Sequence, residues 1–204
     1  MKTVIITGGT KGIGADIART FYSEGYSVIV ASRTDNGFAK KLGDRARFVK
    51  IDVTMENDHQ KAVAFARKWT RRLDVYINCA GSYGWKPAKD VSEKFWDEMI
   101  DTNLKGAFWG CKAAAAHLSA GGVIINISSL AGKRGSSNNS VYCASKFGVT
   151  GLTQALAKEF GPAGIRVVAV CPVYIETAGL YKSLKDKNSP SKGKNVKKFL
   201  QKLY

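Results

Sequence analysis

Tyr142 and Lys146 stand four residues apart in Tyr142-Cys143-Ala144-Ser145-Lys146, a spacing that puts a phenol and an ammonium on one face of a helix. If both face a cleft, the cation stabilises tyrosinate and draws a group with an ordinary pKa of about 10 toward physiological pH. A phenol tuned in this way is a usable proton donor or acceptor. Ser129 lies thirteen residues upstream, at the end of Asn126-Ile127-Ser128-Ser129. If that run is a strand, its hydroxyl sits at the carboxyl end of a sheet, where ligands bind in open α/β architectures. Taken singly, a Tyr–Lys pair occurs often by chance, and a serine at a strand end is an ordinary loop hydroxyl.

A second chemistry, anion binding, is written into Thr7-Gly8-Gly9-Thr10-Lys11-Gly12-Ile13-Gly14. Gly8, Gly12 and Gly14 permit a tight turn, close approach of backbone to a pyrophosphate and close packing of helix on strand. The following helix start supplies unpaired N–H groups and the positive end of a dipole. Thr10, Lys11 and Ile13 complete this candidate dinucleotide turn. The spacing is not G-x-G-x-x-G, so an ordinary strand-to-helix turn stays open. Further on, Ser32 and Arg33 end the next apolar run, with Arg33 nineteen positions after Gly14. An acid near that position holds a ribose hydroxyl, whereas arginine accommodates a 2′-phosphate. With Lys11, Arg33 favours NADP(H) over NAD(H). Asp35 falls two residues later, in Thr34-Asp35-Asn36-Gly37, where turn or cap duty is expected of it.

The elements that must position these residues follow from hydrophobic patterning. Short apolar runs at Thr3–Thr7, Ser27–Ala31, Phe48–Val53, Asp74–Asn78, Val123–Ser128 and Arg166–Cys171 read as six strands. Between them Ile13–Ser23, Glu56–Thr70, Phe95–Leu118 and Val141–Phe160 carry apolar residues at three- and four-residue spacing, the helical period. Alternating strands and helices, with strands apolar on both faces, imply an α/β fold with a doubly wound parallel sheet. The chain divides into residues 1–181, one nucleotide-binding and catalytic unit, and residues 182–204, a basic lid or tail. That tail holds eight lysines against one acid and ends with Val196, Phe199, Leu200 and Leu203 at helical spacing, so a short amphipathic helix is expected.

The ordered set Thr7-Gly8-x-x-x-Gly12-Ile13-Gly14, Asn78-Cys79-Ala80-Gly81, Asn103, Ser129 and Tyr142-x-x-x-Lys146 resembles the short-chain dehydrogenase/reductase family, from residue 3 to about residue 180. The resemblance implies a Rossmann fold and hydride transfer between a nicotinamide and a carbonyl or alcohol carbon, 3-oxoacyl reduction being one instance. It implies Tyr142 as acid/base, Ser129 as hydrogen-bond partner of the substrate oxygen, Lys146 on the nicotinamide ribose and Asn103 as holder of a relay water. It assigns Asp52 and Val53 to the adenine, Asn78, Ala80 and Gly81 to the cofactor and the central strand, and Pro172, Ile175 and Thr177 to the nicotinamide. Two departures stand out. Val173 replaces the family's usual glycine, which would strain a backbone with positive φ and shift the nicotinamide pocket. The family's last helix and seventh strand have no counterpart, so the sixth strand is expected at an exposed edge.

Composition narrows the remaining classes. At 45% hydrophobic and 24% charged residues, disorder and coiled coil are excluded. No apolar run reaches the roughly 18 residues of a membrane span, and no leader is visible, so no membrane partner and a cytoplasmic location are expected. Four scattered cysteines and two histidines show no metal-ligand spacing, and no metal is expected. The net charge of +16 admits a nucleic-acid partner through the tail, though no recognition motif accompanies it. A nonenzymatic NADP-binding module with an incomplete substrate lid is the other alternative. The lysine-rich lid suggests an acidic substrate, such as an acyl group on an acidic carrier. Residues 95–118 and 141–160 are the expected surface of a homodimer or homotetramer.

Overall fold

The computed structural model of the chain describes residues 1–192 and 195–201. Strands β1 (Thr3–Thr7), β2 (Ser27–Ser32), β3 (Ala46–Lys50), β4 (Val75–Asn78), β5 (Val123–Ile127) and β6 (Arg166–Val170) form one sheet in the order β3-β2-β1-β4-β5-β6. Every pairing is parallel. The order reverses between β1 and β4, which opens a crevice at their carboxyl ends. β6 lies at the edge, as expected.

Helices connect the strands: α1 (Gly12–Ser23), α2 (Phe38–Leu42), α3 (Glu56–Thr70), α4 (Glu93–Ile100), α5 (Gly106–Ala115) and α6 (Ser140–Phe160), followed after β6 by α7 (Ala178–Leu184) and α8 (Val196–Gln201). Successive strand residues point to opposite faces, so the sheet builds two cores. Ile5, Ile29, Tyr76 and Ile124 pack with residues of α3, α5 and α6 on one face. Val4, Ile6, Val28, Val30 and Ile77 pack under α1 and α2 on the other. That second layer stops short of β6, leaving Val168 41% and Val170 47% exposed.

Two predicted elements differ. The third strand ends at Lys50, before the expected Val53, because the Asp52 carboxylate accepts hydrogen bonds from Thr54 N–H and Thr54 Oγ1 at 3.0 and 2.9 Å, turning the chain. The helix expected over Phe95–Leu118 is instead α4, a π-helical turn over Asp101–Lys105, and α5. The extra residue of that turn carries Asn103 inward to bonds with the loop after β4. α7, which periodicity did not show, starts where Thr177 Oγ1 accepts from Leu180 N–H at 3.1 Å. Of the expected tail helix, Val196, Phe199 and Leu200 fall on α8, while Leu203 lies outside the described residues.

Candidate active site

The glycine turn joins β1 to α1 under tight steric limits. Gly8 has φ +67°, and a Cβ there would stand 2.8 Å from Ala80 Cα. Gly14 packs against the same turn, where a Cβ would meet Gly8 O at 2.5 Å. Thr7 Oγ1 accepts from the N–H groups of Cys79 and Ala80 at 3.0 and 3.1 Å, locking the ends of β1 and β4 together. The first turn of α1 has neither a side-chain cap nor an acidic residue. Its N–H groups are therefore open to an anion, and the residues present fit a pyrophosphate.

At the end of β2, Thr10 Oγ1 and Ser32 Oγ approach to 3.4 Å, and Asn36 Nδ2 donates to Thr10 O at 2.9 Å. Asn36 thus holds the glycine turn from outside; in sequence it read only as part of a turn. Asp35 Oδ1 accepts from Gly37 N–H at 2.8 Å, the turn duty expected of it. Arg33 lines the cleft here, opposite Asp52 and Val53. Asp52 Oδ1 accepts from Thr54, and Arg33 takes part in none of the ion pairs among the described residues.

α6 carries Tyr142 and Lys146 into the same cleft. Lys146 is only 5% exposed; its Nζ donates to Ile127 O at 2.8 Å and lies 5.8 Å from the centre of the Tyr142 ring. Burial pushes this ammonium down to about 8. The expected lowering of the phenol is not found in the ligand-free chain. Burial holds Tyr142 above its ordinary value, and a hydrogen bond from the Ser129 side chain pulls only partly the other way. Ser129 also caps the 3₁₀ turn Leu130–Gly132, accepting from Ala131 N–H at 3.1 Å. Gly81 packs close to both partners of the network: a Cβ there would meet Asn103 Oδ1 at 3.4 Å and Lys146 Nζ at 3.8 Å.

Two expected site residues stand behind the cleft wall. Asn103 Oδ1 accepts from Ser82 N–H at 2.7 Å, while its Nδ2 donates to Ser82 O at 2.9 Å and Ser145 Oγ at 3.0 Å. With its amide committed to these bonds, the Asn103 side chain fixes the loop after β4. Asn78 points into the core, where Nδ2 donates to Asn126 Oδ1 at 2.8 Å and Oδ1 has no partner. It supports the central strand. The other candidate residues all line one cleft of about 940 Å³.

Pro172, Ile175 and Thr177 form its far end, where Pro172 O accepts from Leu130 N–H at 3.0 Å. The backbone strain expected at Val173 falls one residue later, since Tyr174 is the residue with positive φ, +46°. Its ring meets Phe199 of α8 edge-on at 6.0 Å. α7 is fastened over the cleft by Tyr83 O–H, which donates to Gly179 O at 2.7 Å, and by Trp85 Nε1, which donates to Ser183 Oγ at 2.8 Å. Tyr83 and Trp85 directly follow the motif Asn78-Cys79-Ala80-Gly81, and aromatic residues in a loop after a glycine are their sequence signal. Among the described residues no group of acids, histidines and cysteines could hold a metal ion.

The sequence model for short chain dehydrogenase matches residues 2–188. Over 189 residues the chain is 36% identical to trans-4-hydroxycyclohexanecarboxylate dehydrogenase of Sinomonas cyclohexanicum, covering 86% of this chain and 73% of that protein. It is 34% identical over 185 residues to human 3-hydroxyacyl-CoA dehydrogenase type-2, covering 82% and 71%. A 3beta-hydroxysteroid dehydrogenase of Mediterraneibacter gnavus is 33% identical over 184 residues, covering 86% and 67%. The family model spans nearly the whole parallel-sheet fold that holds the glycine turn and the Tyr–Lys pair, these relatives are dehydrogenases covered to two thirds or more, and the chain belongs to the short-chain dehydrogenase/reductase family of oxidoreductases.

Proposed function

We propose that the chain is an NADP(H)-dependent reductase or dehydrogenase in which Tyr142 exchanges the proton of a carbonyl or alcohol oxygen. The observation that carries the reading is the meeting of Ser129, Tyr142 and Lys146 in one cleft with the open first turn of α1. When bound, the nicotinamide supplies or accepts the hydride. Tyr142 donates its phenolic proton to the oxygen as negative charge develops there, and Ser129 orients that oxygen by a hydrogen bond. Lys146, a cation at neutral pH with a displaced pKa of about 8, stabilises the tyrosinate left behind and is placed to bond ribose hydroxyls. Asn103 keeps the loop 79–82 in register with α6 through Ser82 and Ser145. Water exclusion falls to α7 and its fastening by Tyr83 and Trp85.

Preference for the phosphorylated cofactor rests on Arg33 and Lys11, with Asp35 spent on Gly37 and Asp52 on Thr54. Trp96, Phe108 and Phe147 are 45%, 38% and 45% exposed on α4, α5 and α6, and they support a homodimer or homotetramer through these helices. Four free cysteines fit a reducing cytoplasm. The test is NADPH and NADH oxidation measured in parallel over a panel of aldehydes and ketones. Tyr142→Phe is expected to lower turnover by about 10²- to 10⁴-fold while NADPH still binds. A Tyr142→Phe enzyme that turns over like the wild type would overturn the reading.

A further inference from the structure

We propose that the substrate is an anionic carbonyl compound, with a carboxylate or phosphate set away from the reacting carbon, and that Arg134 and Lys182 hold this charge. The inference rests on the reading of Ser129 and Tyr142 as the reacting end of the cleft. It starts from the charges on the cleft wall. Lys11, Arg33, Arg134, Lys146 and Lys182 line it, against a single acid, Asp52, at the opposite end and already bonded to Thr54. Lys11 and Arg33 are accounted for by a phosphorylated cofactor, and Lys146 by Tyr142. Arg134 and Lys182 answer to nothing in that scheme.

Both cations stand at the substrate end. Arg134 follows Ser129 by five residues and is fixed by its N–H, which donates to Leu130 O at 3.0 Å. Its guanidinium acts on the phenol of Tyr174, another cleft residue. Lys182 precedes Ser183, the residue to which Trp85 fastens α7. Neither cation takes part in any of the ion pairs among the described residues. The two acids of this segment are engaged elsewhere: Glu176 accepts from Tyr181 O–H at 2.8 Å, and Asp186 accepts from Asn188 N–H at 2.8 Å.

An arginine presenting a planar fork and a lysine presenting a point charge match a carboxylate or a phosphate. Tyr83, Trp85, Leu130 and Tyr174 line the same cleft, which suits a ring or a short apolar body. Both cations line the cleft and are themselves exposed, which places the anion they meet at the solvent side of a bound substrate.

The test compares 4-formylbenzoate, 4-formylphenyl phosphate and neutral 4-methylbenzaldehyde as substrates of the full chain with NADPH at low salt. The wild type is expected to favour at least one anion over the neutral aldehyde in kcat/KM, and the better of the two identifies the headgroup. Arg134→Gln is expected to reduce that preference about tenfold, through KM, and Lys182→Gln by a smaller factor; about 1.4 kcal/mol corresponds to the tenfold change. A ratio of anionic to neutral kcat/KM that is near unity, or that neither substitution moves, overturns the inference and leaves the oxidoreductase reading intact. Benzoate binding to the wild type and to Arg134→Gln, followed by calorimetry, keeps the two apart. If no aldehyde is reduced but benzoate binds and binding falls in the variant, the anion site stands and the catalytic reading fails. If benzoate binds neither protein and 4-formylphenyl phosphate gains nothing over the neutral aldehyde, the anion site fails.

Discussion

Lys146 is the most costly cation in the fold, and replacing it separates stability from function. Its ammonium is 5% exposed, and burial moves its pKa from the ordinary 10.5 to about 8. At neutral pH that displacement amounts to roughly 3 kcal/mol of unfavourable desolvation in the folded state. Lys146→Met fills a similar volume without charge, but leaves Ile127 O without its donor, a loss of about 1–3 kcal/mol. The ligand-free variant is therefore expected to be about as stable as the wild type at pH 7, or up to about 2 kcal/mol more stable, although it is inactive. The pH dependence is more decisive, because the methionine's packing cancels from it. Between the two pKa values the unfolded lysine still binds its proton and the folded one has released it, so wild-type stability rises with pH. The stability of the variant minus that of the wild type should fall by about 2.5 kcal/mol from about pH 7 to pH 10. Urea unfolding of both proteins followed by circular dichroism measures it. A difference that stays constant over this range would refute the desolvation of Lys146.

Arg33→Gln is expected to narrow the preference for NADPH over NADH, measured as a ratio of dissociation constants by cofactor fluorescence, about tenfold. Gly110→Ala brings a Cβ to 2.0 Å from Asn78 Oδ1, and chemical denaturation should show a loss of about 1–3 kcal/mol. Phe147→Glu places a carboxylate at a side chain 45% exposed on α6, in the proposed subunit interface; light scattering after size exclusion should show an oligomer for the wild type and a monomer for the variant.

What the sequence reveals depends on whether a local pattern or a distant contact sets the structure. β1 and β2 are nearly continuous apolar runs because helices cover both faces, and α3 matches its predicted limits, Glu56–Thr70. The π turn at Asp101–Lys105 is hidden, since apolar spacing continues across it. The bonds of Asn103 to Ser82 and Ser145, residues 21 and 42 positions away, fix the extra residue. α7 is hidden for a related reason: seven residues give little period, and its attachment comes from Tyr83 and Trp85, 96 and 98 positions from their partners. The spacing of Tyr142 and Lys146 was legible, but the direction of the tyrosine shift was not, because the extent of burial is a property of the assembled fold. Arg134, in Gly132-Lys133-Arg134-Gly135, resembles any solvated turn until the wall around it is known.

The local costs of this structure gather at one end of the sheet. Asn78 Oδ1, at the end of β4, is buried without a partner. Lys146 keeps a desolvated charge on the last carbonyl of β5. Tyr174, beyond the end of β6, takes a left-handed backbone that suits glycine better. Each of these features lowers stability by an amount on the order of 1–3 kcal/mol, and folding alone calls for none of them. At the amino end of β4, Arg71 also takes a left-handed backbone, φ +66°, as the residue that ends α3, while Asp74 accepts from Thr3 N–H at 2.7 Å and pairs with Arg72. Two apolar layers around the sheet offset these costs, and the two buried polar groups in poor surroundings, Asn78 Oδ1 and the Lys146 ammonium, both stand at the carboxyl ends, beside the cleft.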